Sequence, residues 1–377
     1  MFAGALQDLD KADFLAEIWQ QRPLFLPAAL SPFQQPLTAD ELAGLALEEE
    51  VESRLVECRR GDWQVHHGPF SEAQLQRAGA WSLLVQAVDH YVEDVAALRD
   101  LVDFIPQWRV DDIMLSYGTD GSSVGPHYDN YDVFLLQGEG EKLWRIGQAC
   151  DEHSELLPHP QLRILADFDC SAEYLLRTGD LLYIPPGIAH WGIAQGQSIT
   201  YSIGFRAPRT NDMLSRWVDE CLASFPQERF FSDIGREPAR ADGEITGRDR
   251  QRALEHLSDA LASQPGAGRW FGELVTEPRY TPAPTELNES VTTGQDASGA
   301  TLHLDAASKL AWQEDADGYT VFANGQSMPL GSAELPCVKE LCKMRSLDAT
   351  AYAALCNSAQ GPALLHFLLE TGCIYVE

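Results

Sequence analysis

Two short stretches carry residues that could hold a metal ion. In Gly125-Pro126-His127-Tyr128-Asp129-Asn130-Tyr131-Asp132 a histidine and a carboxylate stand two residues apart, so on an extended backbone both side chains leave the same face. The second stretch, Tyr183-Ile184-Pro185-Pro186-Gly187-Ile188-Ala189-His190, ends in a histidine behind a rigid Pro-Pro-Gly turn. Two imidazoles and one carboxylate make the facial ligand set of non-haem Fe(II) oxygenases, which leaves coordination positions for a cosubstrate and dioxygen. A lone His-x-Asp is commonplace, so context has to decide. His127 stands at the entry of the mostly apolar run Tyr131-Asp132-Val133-Phe134-Leu135-Leu136-Gln137, where burying an imidazole and a carboxylate without a partner is costly and a cation removes the cost. The other histidines lack such framing: His66 and His67 suit surface or substrate-side positions, His90 begins a helical stretch, and His153, His159, His256, His303 and His366 default to structural roles. Zinc hydrolysis is disfavoured, because no separate general base accompanies the three ligands.

Lys142 opens Lys142-Leu143-Trp144-Arg145-Ile146, and alternation sets it on one face with Trp144 and Ile146. A lysine turned inward among apolar neighbours needs an anion, which the distal carboxylate of 2-oxoglutarate supplies; a lysine at a strand end reaching solvent is the plainer reading. Thr200 and Ser202 share a strand face, and with Ser116 they offer hydroxyls to the same pocket or serve as ordinary strand residues.

Positioning these residues requires short β runs, and the sequence has them at Ile113 to Tyr117, Tyr131 to Gln137, Lys142 to Ile146, Tyr174 to Leu176, Leu181 to Ile184 and Ser198 to Phe205. Runs at such intervals predict a sandwich or barrel. Upstream, Lys11 to Gln21 has helical spacing, and Thr38-Ala39-Asp40-Glu41 and Ser71-Glu72-Ala73-Gln74 are capping boxes that open helices. Helical periodicity also runs to about Phe104, and these helices would cover the outside of one sheet. After Pro208 two amphipathic helices are expected, one with Met213, Trp217, Val218, Cys221 and Leu222 on a face, the other with Leu254, Leu257 and Leu261. Such faces must be buried, either on a second copy of the chain or back on the β domain. Pro265-Gly266-Ala267-Gly268 and Thr281-Pro282-Ala283-Pro284 mark a further boundary, followed by hairpin material around Asn324-Gly325, short helices and a last strand at Cys373 to Val376. That order suggests a winged helix without the basic stripe of a nucleic-acid reader.

The chain has 377 residues, with 57 Asp and Glu against 27 Lys and Arg for a formal net charge of -30. Such a field repels nucleic acid and draws in basic partners, although acidic solubility explains it as well. The eight cysteines show no CxxC pair or regular spacing, which argues against a zinc ribbon or a disulfide framework. Neither a basic leader followed by an apolar run nor about eighteen consecutive apolar residues occurs, so a cytoplasmic protein is expected.

Together these motifs resemble the JmjC branch of Fe(II)/2-oxoglutarate oxygenases, and more narrowly the bacterial ribosomal oxygenases that hydroxylate an arginine of large-subunit ribosomal protein L16. The matching segments are Phe14-Leu15-Ala16-Glu17-Ile18-Trp19-Gln20-Gln21-Arg22-Pro23-Leu24, His127 to Phe134, Gly179 to Gly187 with His190, and Ser202-Ile203-Gly204-Phe205-Arg206-Ala207-Pro208. The resemblance implies an α+β chain with a double-stranded β-helix (jelly-roll, cupin) catalytic domain over residues 1–208, a helical dimerisation segment over 209–268 and a winged-helix-like domain over 269–377. It implies Fe(II) on His127, Asp129 and His190, and 2-oxoglutarate anchored by Lys142, where the family often carries arginine; Ser116 and Thr200 would support that contact. Lysine keeps the charge but gives up the bidentate fork. Asp120 matches the position at which the resemblance implies a carboxylate against the substrate guanidinium, while its loop, Gly118-Thr119-Asp120-Gly121, equally suits a turn aspartate. The implied activity is C3 hydroxylation of an arginine of L16 by a homodimer, with dioxygen consumed and 2-oxoglutarate converted to succinate and carbon dioxide. The same chemistry on another side chain or an RNA base, and a non-catalytic cupin-like adaptor, are the competing readings.

Overall fold

A computed structural model describes residue 6 and residues 9–224, 230–238, 240–262, 268–280, 299–316 and 318–377. The Thr281-Pro282-Ala283-Pro284 boundary lies outside them. The chain divides into two compact units, Met1–Ala207 and Pro208–Glu377.

The first unit opens with α1 (Lys11–Glu17), whose first turn donates two backbone N–H groups to the Asp10 carboxylate. After β1 (Leu24–Leu26) comes α2 (Ala39–Leu45), where Thr38 and Glu41 form the expected capping box. The hairpin β2 (Ser53–Arg59) and β3 (Asp62–His67) leads to α3 (Glu72–Leu75), with the Ser71 N–H donating to the Gln74 side chain, and to β4 (Trp81–Val85). The periodicity toward Phe104 becomes only short turns of helix, α4 (Glu93–Ala96) and 3-10 segments at Val88–His90 and Ala97–Val102. Then follow β5 (Val110–Gly118), β6 (Val133–Ala149), β7 (Ala172–Arg177), β8 (Leu181–Ile184) and β9 (Ile188–Phe205).

All pairings are antiparallel, in the order β1-β8-β6-β9-β5-β4-β2-β3, with β7 on the second half of β6. The runs at Tyr131 to Gln137 and Lys142 to Ile146 are therefore one strand, and Ser198 to Phe205 is the end of a longer one. Glycine caused the misreading: Gly138 and Gly140 look like a break, yet pairing to β9 continues through register shifts on either side of Glu139. Gly140 has φ +67 and no room for a Cβ, which would collide with the Gln197 carbonyl. The bend lets β6 and β9 serve both layers of a double-stranded β-helix. Val133, Leu135, Trp144, Ile146, Leu176, Leu182 and Ile184 fill the inside, while Phe134, Leu136, Ile113, Leu115, Tyr201 and Ile203 pack outward on the helical layer around Phe14, Leu42 and Leu98. Val133 to Leu136 is apolar without alternation because both faces are covered.

The second unit holds α5 (Thr210–Ser224), α6 (Gly247–Ala262) and α7 (Arg269–Thr276). Next come β10 (Leu302–Leu304), a three-stranded sheet of β11 (Leu310–Asp315), β12 (Gly318–Ala323) and β13 (Gln326–Leu330), then α8 (Leu335–Met344), β14 (Ser346–Leu347), α9 (Ala349–Cys356), α10 (Gly361–Glu370) and β15 (Ile374–Val376). Asn324 and Gly325, at φ 47 and 83, make the β12–β13 turn. β10 pairs with both β14 and β15, completing a winged helix around Val338, Leu341, Tyr352, Leu364 and Leu368.

Candidate active site

His127 and His190 face each other in an antiparallel bridge and exchange backbone hydrogen bonds of 3.0 and 2.8 Å. Just upstream, Gly125 (φ +87) turns the chain beneath the Trp63 ring, which a Cβ there would meet at 3.0 Å. Asp129 is held from the opposite side, its carbonyl accepting the Gly187 N–H at 2.8 Å. The Pro-Pro-Gly turn thus steadies the carboxylate as well as presenting His190.

Each imidazole has its Nδ1 2.9 Å from a backbone carbonyl two residues back, Gly125 for His127 and Ile188 for His190. A carbonyl only accepts, so both Nδ1 atoms carry the proton and both Nε2 lone pairs are left for a metal. The Asp129 carboxylate lies 3.6 Å from His190 Nε2, and one ligand atom from each of the three residues falls within 4.8 Å of the others. Burial and the neighbouring His127 lower the His190 pKa to about 4, which keeps it neutral as a ligand must be. This N₂O donor set fits Fe(II) by ligand type and by the open face it leaves.

Deeper in the barrel, the Lys142 Nζ lies 3.3 Å from Ser116 Oγ, 3.4 Å from Thr200 Oγ1 and 4.9 Å from the centre of the Trp144 ring. No carboxylate among the described residues pairs with it, and burial lowers its pKa to about 8. The structure thus joins the lysine and the two hydroxyls in one cluster, suited to a small dicarboxylate reaching inward from the metal.

Asp120 stands on the loop between β5 and His127, where its Oδ1 accepts the Gly196 N–H of β9 at 2.8 Å. A carboxylate that sequence reasoning did not single out is Asp112, which is 5% exposed and rests over Gly204 on the inner face. Gln86 Nε2 and the Ala87 N–H donate to its Oδ2, each at 3.1 Å. Asp112 and Asp129 both act on the Tyr131 phenol, which burial and these charges push far above its ordinary pKa. The available signal was the Asp111-Asp112 pair at a strand start, hidden by a β-bulge between Val110 and Ile113 that upsets simple alternation.

A double-stranded β-helix carrying an open-faced His/Asp/His triad above a buried cation defines a JmjC-type, iron- and 2-oxoglutarate-dependent oxygenase. Residues 97–213 match the JmjC domain family and residues 255–375 the ROXA-like winged helix. The chain is 33% identical over 374 residues, 98% of each protein, to ribosomal protein uL16 3-hydroxylase of Escherichia coli (strain K12). It is 31% identical over 386 residues to a probable ribosomal oxygenase of Haemophilus influenzae, covering 97% of this chain and 94% of that one. The X-ray structure of E. coli ycfD superposes with a TM-score of 0.84 at 34% identity over 98% of this chain and 99% of that one. The YcfD complex with cobalt and 2-oxoglutarate does so at 0.82 and 33%, over 98% and 99%. The chain belongs to the bacterial ribosomal oxygenase family.

Proposed function

We propose that this enzyme hydroxylates C3 of an arginine side chain in ribosomal protein L16, acting as a homodimer in the cytoplasm. The observation that carries the reading is end-to-end similarity to the uL16 3-hydroxylase, with 98% of both chains aligned. The formal net charge of -30 favours encounter with a basic ribosomal protein. Exposed Leu214 and Leu222 on α5, and Leu254 and Leu257 on α6, support self-association through the helical segment.

His127, Asp129 and His190 would hold the iron, which with 2-oxoglutarate and dioxygen supplies the oxidising power to put a hydroxyl on an unactivated carbon. The Lys142 ammonium, steadied by Ser116 and Thr200, orients the cosubstrate by its distal carboxylate. The inward wall around Trp144, Ile146 and Leu182 keeps water from the reacting atoms. The guanidinium needs a carboxylate that fixes which carbon faces the metal. Asp120 is the family-implied candidate, and the buried, inward position of Asp112 over Gly204 favours Asp112. The test is mass spectrometry of L16 from cells with and without the protein. One added oxygen on a single arginine peptide, only in its presence, is expected; an unmodified L16 in both ends this reading.

A further inference from the structure

Arg54 is a cation on the pocket wall that none of the roles above uses. Across β2, β4 and β5 the register runs Arg54, Leu84, Ser116, so its side chain leaves the same face as the Lys142 cluster. On its other side Arg54 pairs with His67, an exposed residue at the end of β3. Arg54 itself is half-buried. Its Nε is fully enclosed and has no acceptor among the described residues. Arg54 therefore lies on the sheet face that carries the Lys142 cluster, next to the exposed end of β3.

A buried donor without an acceptor is costly and persists where something returns the bond. Water or a ligand oxygen could do so, and the surroundings favour the ligand. Lys142, Ser116 and Thr200 already serve the inner end of the cosubstrate. A second guanidinium would be repelled from this point, so the target side chain of a basic substrate cannot be the partner. We propose that Arg54 is a substrate-positioning residue that donates to a main-chain carbonyl or carboxylate oxygen of the peptide segment flanking the hydroxylated residue. It thereby holds the segment in the register that brings one side chain to the metal. The proposal rests on the reading of the chain as a hydroxylase of L16.

The test compares wild type with Arg54→Met and Arg54→Lys in the full chain. The probes are a synthetic peptide spanning the L16 arginine and, separately, 2-oxoglutarate titrated by calorimetry into cobalt-loaded protein. Arg54→Met is expected to weaken peptide binding about tenfold or more, the loss of one charge-assisted bond, and to leave 2-oxoglutarate binding within about twofold. Arg54→Lys should recover part of the peptide affinity, which a merely structural role would not allow. Unchanged peptide affinity in Arg54→Met overturns the proposal. So does an equal loss of 2-oxoglutarate affinity, which would assign the contact to the metal-bound carboxylate of the cosubstrate. Unchanged 2-oxoglutarate binding shows that the variant has folded. A wild type that does not bind the peptide defeats the L16 reading itself, whereas wild-type binding with an indifferent Arg54→Met defeats only the role of Arg54.

Discussion

The rings of His127 and His190 lie 4.3 Å apart, centre to centre, and their backbones bond to each other across the bridge that joins the two halves of the site. A metal held by these side chains would therefore be an extra tie between segments that the backbone already holds together. Replacing His127 by Ala is expected to abolish cobalt binding and turnover while leaving the fold intact, as read by metal titration and circular dichroism. With metal removed, His190 gives the fold a pH signature. Its folded pKa of about 4 is depressed from 6.5, so its contribution is present above pH 6.5 and is lost as pH falls toward 4. Thermal melts of chelator-treated protein should show wild type losing stability over that window more steeply than His190→Leu.

Lys142 works in the opposite sense. Burial lowers its pKa from 10.5 to about 8, so without cosubstrate the fold carries the full penalty of a buried ammonium below pH 8 and is relieved of it as pH rises toward 10.5. The dicarboxylate needs the charged form. Calorimetry should show 2-oxoglutarate affinity falling as pH rises through about 8. Lys142→Met should bind it at least about tenfold more weakly at neutral pH, without that slope, and should melt higher when empty. A flat wild-type profile would remove Lys142 from the cosubstrate site.

Asp132, three residues beyond Asp129, is fully buried and does structural work. Its two oxygens accept from the Tyr183 hydroxyl at 2.6 Å, Gln20 Nε2 at 2.9 Å and Arg109 Nη2 at 3.1 Å. Gln20 also donates its backbone N–H to Tyr183, so the chain after α1 is pinned to the strand that leads to the metal turn. Asp132→Ala takes the carboxylate from the partly buried Arg109 and leaves the Tyr183 hydroxyl and Gln20 amide without their acceptor, and should cost on the order of 3–5 kcal/mol in denaturant titrations. A loss under about 1 kcal/mol would mean that water replaces the network readily.

The candidate metal cluster was legible because its chemistry is local: His127 and Asp129 sit two residues apart, and His190 follows a turn with few backbone options. Lys142 was legible from alternation, since its strand has no bulge between Lys142 and Ile146. What escaped was governed by long-range geometry. Gly138 and Gly140 could not announce that the strand continues, because their close approach to Tyr201 and Gln197 exists only once β9 has folded against them. The bulge at the start of β5 likewise turns Asp112 inward and hides it from any period-2 count.

Self-association is expected to depend on the leucines that α5 and α6 expose. Leu222 is 62% and Leu257 57% accessible, a hydrophobic cost that a partner surface would remove at about 25 cal/mol per Å² buried. In light scattering of the full chain, Leu222→Glu combined with Leu257→Glu should run as a monomer where wild type runs as a dimer. A monomeric wild type would return these helices to a role within one chain.

The two aspartates can be separated by substrate kinetics. Asp112 stands on the inner face of β5, where its Oδ2 accepts from Gln86 and Ala87, whereas Asp120 is tied to Gly196 in the middle of β9. If the guanidinium rests on Asp112, Asp112→Asn removes a charge-assisted contact worth about 1.5–3 kcal/mol. The effect should appear as a ten- to hundredfold loss, in round terms, in kcat/KM for an L16 peptide, because the contact aligns the target carbon rather than merely holding the peptide. Uncoupled turnover of 2-oxoglutarate should then rise relative to hydroxylation, since oxidation would proceed with the target carbon out of line. Asp120→Asn should leave that ratio alone and lower only the melting temperature, through the weakened turn at Gly196. The reverse pattern would restore Asp120 as the anchor and make Asp112 a structural carboxylate.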